Sequence, residues 1–482
     1  MQNNIRFCSL ICKNQKRFRM NYRRIEPAIV LILAAVFTVT LGLMQANAQL
    51  PNSYTPTSFV AGASPTAGKI ADLDSDGFND IAVVNLQGSL QLFFNNGAGS
   101  FNRVSLNGVL PSSANTLDID IGDLNGDGRK DLAVAFTTQT GSIAVLLNQG
   151  NRTFSAPVIY NTCNSSKGVA IGDLDGDGDL DIADISQCNK AGILINNGQG
   201  SFTFRGTVGD GYNSKSVGLA DFNRDGLNDI AYVNNGVGLF RTSSVTVLLN
   251  QGNATFGAPA FYNVGDGPED LALGDVNADG YADIAVAATQ KGETWMLYNS
   301  GSGTFPAMTF FFGNGAPNRI AMGDFTNDGL PEIAVTTTNN NLLVFVNQNG
   351  YDFYDTNFIN FLQSPSDVAV GHLNGDTYLD VVGVNQGNGS IVVLLSDIPP
   401  PPPMTLTATT RSEKNAKYVD LRWSGVPGAS VEIYRNGTRI TTVPNNGSYT
   451  DQHNKNAKGT FLYRVCVPGS GGQCSNMATI SF

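Results

Sequence analysis

One nine-residue segment, acidic and turning on a small residue, recurs seven times along the chain and constrains the fold more than any other feature. The copies are 72–80 (DLDSDGFND), 123–131 (DLNGDGRKD), 173–181 (DLDGDGDLD), 221–229 (DFNRDGLND), 275–283 (DVNADGYAD), 324–332 (DFTNDGLPE) and 372–380 (HLNGDTYLD). Their starts lie 51, 50, 48, 54, 49 and 48 residues apart. A unit of that length with several short strands cannot bury its own apolar faces, and stacking copies side by side is the remedy. Such a period means propeller blades.

The strands can be read around each loop. An apolar stretch such as Val169–Gly172 precedes it, another such as Ile284–Ala287 follows, and a third such as Ile143–Leu147 or Val245–Leu249 comes next. A Gly- and Asn-rich turn then ends in an aromatic residue, at Phe101, Phe154, Phe202, Phe256, Phe305 and Phe353. Gly and Asn supply the positive φ that hairpin turns demand. A fourth strand starts at that Phe, which completes a four-stranded blade. After the seventh loop the chain instead runs from Ile391–Leu395 into Pro399–Pro403, so the last blade lacks its outer strand. Tyr54–Val60 offers one, and its use would remove two open sheet edges. The expected class is all-β: a seven-bladed β-propeller over 49–397, a stiff polyproline spacer over 398–403, and a small β-sandwich over 404–482 whose alternating strands include Tyr418–Trp423 and Thr460–Val465.

Residues 1–48 differ in kind. Seven basic residues and one acid, Glu26, precede an apolar run from Ala28 to about Met44, and Ala46-Asn47-Ala48 has the A-x-A form of a signal-peptidase site. Cleavage before Gln49 is expected, with Met1 or Met20 as the start. The rival reading is an uncleaved membrane anchor, since the run of about 17 residues is at the short limit for crossing a bilayer. Without this leader Lys+Arg fall from 29 to 22 and Asp+Glu from 40 to 39, a net charge of −17. That excludes a nucleic-acid partner, which needs a basic footprint, and suits a binder of divalent cations. Four cysteines remain. In an exported chain an even number suggests disulfides, and proximity pairs Cys163 with Cys188 and Cys466 with Cys474, four free thiols being the alternative.

Each loop sets oxygen side chains at positions 1, 3, 5 and 9, and the residue at 7 can add its backbone carbonyl. A hard cation such as Ca²⁺ wants six to eight oxygens. Loop one offers Asp72, Asp74, Asp76 and Asp80 with the carbonyl of Phe78. Loop two offers Asp123, Asn125, Asp127 and Asp131 with Arg129; loop three, Asp173, Asp175, Asp177 and Asp181 with Asp179. Loop four offers Asp221, Asn223, Asp225 and Asp229 with Leu227; loop five, Asp275, Asn277, Asp279 and Asp283 with Tyr281; loop six, Asp324, Thr326, Asp328 and Glu332 with Leu330. These positions hold 22 of the 39 acids beyond the leader, a density that would repel itself without cations. Five strong calcium sites and a weaker sixth are expected. The seventh is expected to be degenerate, because imidazole is a poor calcium ligand and Thr377, β-branched, resists the left-handed turn. The competing reading is that the acids only cap turns.

The motif D-x-[DN]-x-[DN]-G-x-x-D, matched throughout loops one to five, resembles that of the FG-GAP/VCBS repeat family, whose members include the propellers of integrin α subunits. The resemblance covers about 54–397. It implies a seven-bladed propeller with calcium loops on one face and partners, glycans or matrix proteins among them, bound on or between blades. The C-terminal region is similar to a fibronectin type III module. That likeness implies that Trp423 is the core Trp and that Phe461 stands at the tyrosine-corner position, so that hydrogen bond is expected to be missing.

No catalytic constellation stands out. The two histidines, His372 and His453, fall in different domains, which leaves no His-based triad or zinc cluster, and His453 reads as solvated in a polar loop. Gly62 to Lys69 has the wrong spacing for a phosphate loop, and Ile70 replaces the Ser or Thr that would meet magnesium. The expected function is an exported, calcium-stabilised adhesion or recognition module for a glycan or protein at the cell surface, secreted or surface-held and monomeric, touching a membrane only through an uncleaved leader. A structural or assembly component without a small ligand and a polysaccharide lyase or hydrolase are the alternatives.

Overall fold

The apolar stretches flanking the acidic loops form strands, and the tight turns return the chain antiparallel. The computed structural model describes residues 54–482 except 112–113, 138–141, 164, 187, 237–242, 314, 349, 360–361, 397–404, 425–429 and 467–474, with backbone alone for 54–55, 142 and 354–359. The leader, its cleavage site and the proline spacer therefore lie outside the described residues. No described segment is helical, and none is a helix long and apolar enough to cross a membrane.

Blade one shows the pattern: an inner strand Pro65–Ala71, the acidic loop, then Asp80–Asn85, Ser89–Asn95 and an outer strand Phe101–Leu106. Five more four-stranded sheets repeat that order. In the seventh, Pro365–Gly371, Asp380–Asn385 and Ser390–Ser396 take Tyr54–Val60 as the outer strand, with Tyr54 opposite Ser396 and Val60 opposite Ser390. Each inner strand touches the next, and that of the seventh sheet touches that of the first. The sheets thus close a ring, a β-propeller with its acidic loops and Asn-rich turns at one end of the sheets.

The core lies in the seams between blades. Leu73, Val84, Leu90, Leu132 and Phe136 pack between blades one and two, and Val83, Phe93, Val382, Val384 and Ile391 between seven and one. Second strands such as Asp80–Asn85 are buried along their whole length, because a sheet packed on both faces has no side left for water. This is why they read as unbroken apolar runs rather than alternating ones. Position 2 of every loop (Leu73, Leu124, Leu174, Phe222, Val276, Phe325 and Leu373) is at most 1% exposed, so the loop is anchored into a seam by its second residue.

Cys163 and Cys188 form a disulfide with their Cα atoms 6.0 Å apart. Cys466 is also disulfide-bonded, while Cys474 lies outside the described residues. Residues 405–482 form two sheets, Thr405–Glu413/Ala416–Ser424/Ser448–Asn454 and Thr438–Pro444/Ser430–Arg435/Thr460–Cys466/Ala478–Ser481. They share one core around Leu421, Trp423, Ile433, Tyr463 and Val465. One expectation needs correction. His453 is not solvated: it lies buried on a strand, 4.6 Å from the Phe461 ring centre, with Nε2 2.8 Å from the Tyr463 hydroxyl. Two residues beyond Phe461, the buried Tyr463 hydroxyl donates to the Asp451 carboxylate at 2.5 Å, a side-chain bond distinct from the backbone bond of a tyrosine corner. Strand alternation turns 461 and 463 to the same face, and only the second is a tyrosine.

Candidate functional site

Each acidic loop joins an inner strand to the second strand, and its shape follows from short side chains accepting backbone N–H groups. Asp72 accepts from Ser75 at 2.7 Å and Gly77 at 3.0 Å. Asp76 accepts from Phe78 at 2.9 Å, and the same bond from position 7 to position 5 recurs in the other loops at 2.8–3.0 Å. Position 6 has φ between +83° and +94° in loops one to six. A Cβ at Gly77 would meet nothing within 4 Å, so backbone conformation, not space, calls for glycine there. Loop seven, with Thr377 at this position, has its left-handed residue at Gly375 alone. His372 Nδ1 lies 3.0 Å from the Tyr378 carbonyl, the oxygen that position 7 would offer a cation.

Position 9 is the buried end of the site. The side chains of Asp80, Asp131, Asp181, Asp229, Asp283, Glu332 and Asp380 are fully buried. One oxygen of each accepts the N–H of position 2 at 2.7–3.1 Å. In the six aspartates the other accepts the N–H of Asn95, Asn148, Asn196, Asn250, Asn299 or Ser396 at 2.6–2.8 Å. The extra methylene of Glu332 leaves its buried Oε1 without a partner among the described residues. Burial pushes the carboxyls of Asp80, Asp131, Asp181, Asp229 and Asp380 up to about 6, Asp283 to about 7 and Glu332 to about 8, against the pull of these hydrogen bonds. The other acids of each loop push in the same direction.

The loops bring their carboxylates together unequally. In loop one Asp72, Asp74 and Asp80, and in loop three Asp173, Asp175 and Asp177, each hold one oxygen within 4.8 Å of the others. These are the two loops with acids at all four positions. In loops two, four and seven the position 3 Asn amide donates to the position 5 carboxylate instead, Asn125 to Asp127 at 3.0 Å, Asn223 to Asp225 at 2.9 Å and Asn374 to Asp376 at 2.9 Å, whereas in loop five the Asn277 amide donates to the Tyr351 hydroxyl at 3.3 Å. Arg129 adds an ion pair to Asp127. Thr326 sits in loop six with its N–H on Glu332 at 3.1 Å. The carboxylate pattern suits a hard cation, since each oxygen retains a lone pair beyond its N–H bond.

Two contributions are not evident from the motif. Arg152, in the turn of blade two, reaches loop one and bonds Asp74 at 2.7 Å while lying over the Phe94 ring at 4.6 Å. The second is a series. Asn95, Asn148, Asn196, Asn250, Asn299 and Asn347 each donate their amide to the position 2 carbonyl of the preceding blade's loop at 2.7–2.8 Å. Each also bonds the position 8 carbonyl of its own loop at 2.9–3.2 Å. Their signal was the recurrence of Asn after the third strand of six blades, which the turn reading had already absorbed.

This repeated geometry has a counterpart in sequence: residues 72–134, 123–183, 221–286 and 275–335 match the family model of the FG-GAP-like repeat. The chain carries repeats of the FG-GAP type. Among solved structures, this FG-GAP repeat protein resembles the chain in "Crystal structure of BBS1N in complex with ARL6DN, soaked with mercury", with a TM-score of 0.50, 10% identity, and coverage of 72% of this chain and 98% of that one. The lead-soaked counterpart gives 0.50 and 11% over the same shares. At such identity the likeness is one of fold. No curated protein matches the sequence.

Proposed function

We propose that this FG-GAP repeat protein is an exported, calcium-binding recognition module that holds a glycan or a protein at the cell surface. The observation that carries the recognition reading is an aromatic strip at the rim of blade five. On the outer strand Ala307–Phe312, alternate residues Met308, Phe310 and Phe312 are 41%, 43% and 63% exposed. Trp295 stacks on Phe310 with ring centres 4.9 Å apart, and Phe312 meets Phe310 edge-on at 5.4 Å. Flat rings offered to solvent in a row suit the apolar face of a sugar ring or of a protein side chain. Trp295 packs with residues of blade four, so the strip borders a blade junction.

Calcium is supported by the converging carboxylates of loops one and three and by the excess of acid on this end of the ring. The ion would fix the loops that Arg152 and the Asn series tie together. The C-terminal sandwich is read as a fibronectin type III-like accessory module, the protein as secreted or surface-held and monomeric, and its role as binding rather than catalysis.

The test is a glycan array probed with residues 49–482 in calcium and in chelator, beside the Phe310→Ala/Phe312→Ala variant. Calcium-dependent binding lost in the variant supports a lectin-like adhesin. No glycan bound, with a surface protein captured by wild type and not by the variant, moves the reading to a protein partner. Turnover of a polysaccharide would replace the reading with an enzyme.

A further inference from the structure

The seven inner strands enclose an axial cavity of about 420 Å³, within the range of about 300–1,000 Å³ typical of small-molecule pockets. Its charges are unevenly paired. Lys215 pairs with Glu269 at 2.9 Å, Lys167 bonds Asn213 at 3.0 Å, and Arg319 bonds the Asn318 carbonyl at 2.9 Å. Lys69 differs. It lines the cavity together with Asp118, Asp120, Asp270 and Asp367, yet no hydrogen bond or salt bridge among the described residues reaches its ammonium.

The four carboxylates are held elsewhere. Asp118 accepts the N–H of Val169 at 3.0 Å, Asp120 that of Ile171 at 2.8 Å, Asp270 that of Ile320 at 3.1 Å and Asp367 that of Gly68 at 2.9 Å. Each bond crosses a blade seam, so the acids are pinned to the wall and cannot swing onto Lys69 without breaking one. At the strand position that Lys69 and Asp120 occupy, the other five blades carry only Ala170, Gly218, Ala272, Ala321 and Ala369.

An ammonium offers three donors and no acceptor, and a carboxylate offers acceptors alone. A species filling the gap must accept from one and donate to the other. A cation would meet the ammonium, and an anion would meet four carboxylates. Hydroxyl groups satisfy both. We propose that the axial cavity is a binding site for a small neutral polyhydroxyl molecule of monosaccharide size, whose hydroxyls bridge the Lys69 ammonium to the Asp118 and Asp120 carboxylates. The site is separate from the aromatic rim.

Isothermal titration of the full exported chain with glucose, galactose, mannose, N-acetylglucosamine and myo-inositol tests this. At least one should bind saturably at one site per chain. Lys69→Met should weaken it at least tenfold. Failure of all five to bind, or binding that survives Lys69→Met, overturns the proposal. Should Lys69→Met not fold, wild-type crystals soaked in the same compounds decide: density for the compound against Lys69 supports the site, and ordered water alone overturns it.

Discussion

The side-chain amide of Asn95 donates to the backbone carbonyl of Leu373 at 2.7 Å, joining residues 278 apart across the seam between the first and last blades. The same bond is made at five other seams. Its acceptor belongs to the residue that anchors an acidic loop in the core, so each loop is fastened by its neighbour's asparagine. Loop geometry and ring integrity are therefore one property.

Removing a strap should cost stability. Asn148→Ala leaves the buried carbonyl of Leu73 and the half-buried carbonyl of Lys130 without their donor. A loss of about 1–3 kcal/mol is expected, read from denaturant unfolding in calcium. A change indistinguishable from that of an exposed Asn→Ala control would show that the bond contributes nothing.

Blade seven has Ser396 where six blades have Asn, and its buried hydroxyl has no partner among the described residues. Ser396→Asn should supply the missing strap toward loop six and raise stability by about 0.5–1.5 kcal/mol. A lower melting temperature would mean that this seam is too tight for the amide.

Burial lifts the position 9 carboxyls of the folded chain to about 6 in five loops, about 7 at Asp283 and about 8 at Glu332. Unfolded, they release their protons at about pH 4. Between those limits the native state binds more protons than the unfolded one, so without calcium its stability falls as pH rises. Melting in chelator should therefore be higher at about pH 5 than at about pH 8. Saturating calcium, which favours the charged form, should reverse the order. The same slope in both conditions would remove these acids from the calcium sites.

Chelation should lower the melting temperature of the ring by many degrees, because an ion that binds only the folded state stabilises it by mass action. Asp175→Ala should weaken calcium binding measured by titration far more than Asn374→Ala. Equal effects would contradict the difference between loops three and seven.

Much of this was legible because the constraint is periodic. The loop spacing implied the ring, and the missing strand after Leu395 pointed to Tyr54–Val60 as its closure. What escaped was long-range and chemically quiet. Asn95 and its equivalents looked like turn residues, because an Asn before Gly already has a local use. Arg152 acts on Asp74 from 78 residues away, and no local pattern marks that. His453 misled because its neighbours are polar, though strand alternation turns it into the core between Phe461 and Phe482.

The pairing of Tyr54–Val60 with Ser390–Ser396 also sets an order of events. The earliest strand of the ring has no partner until the latest one exists, so a chain folding from its N-terminus carries an orphan edge through six blades. Closure is then a late step across a contact of very long sequence separation, and such contacts form slowly. A product cut short before Ser390 would keep that edge open, free to pair with another copy. For this fold, completeness is a matter of timing as much as of contacts.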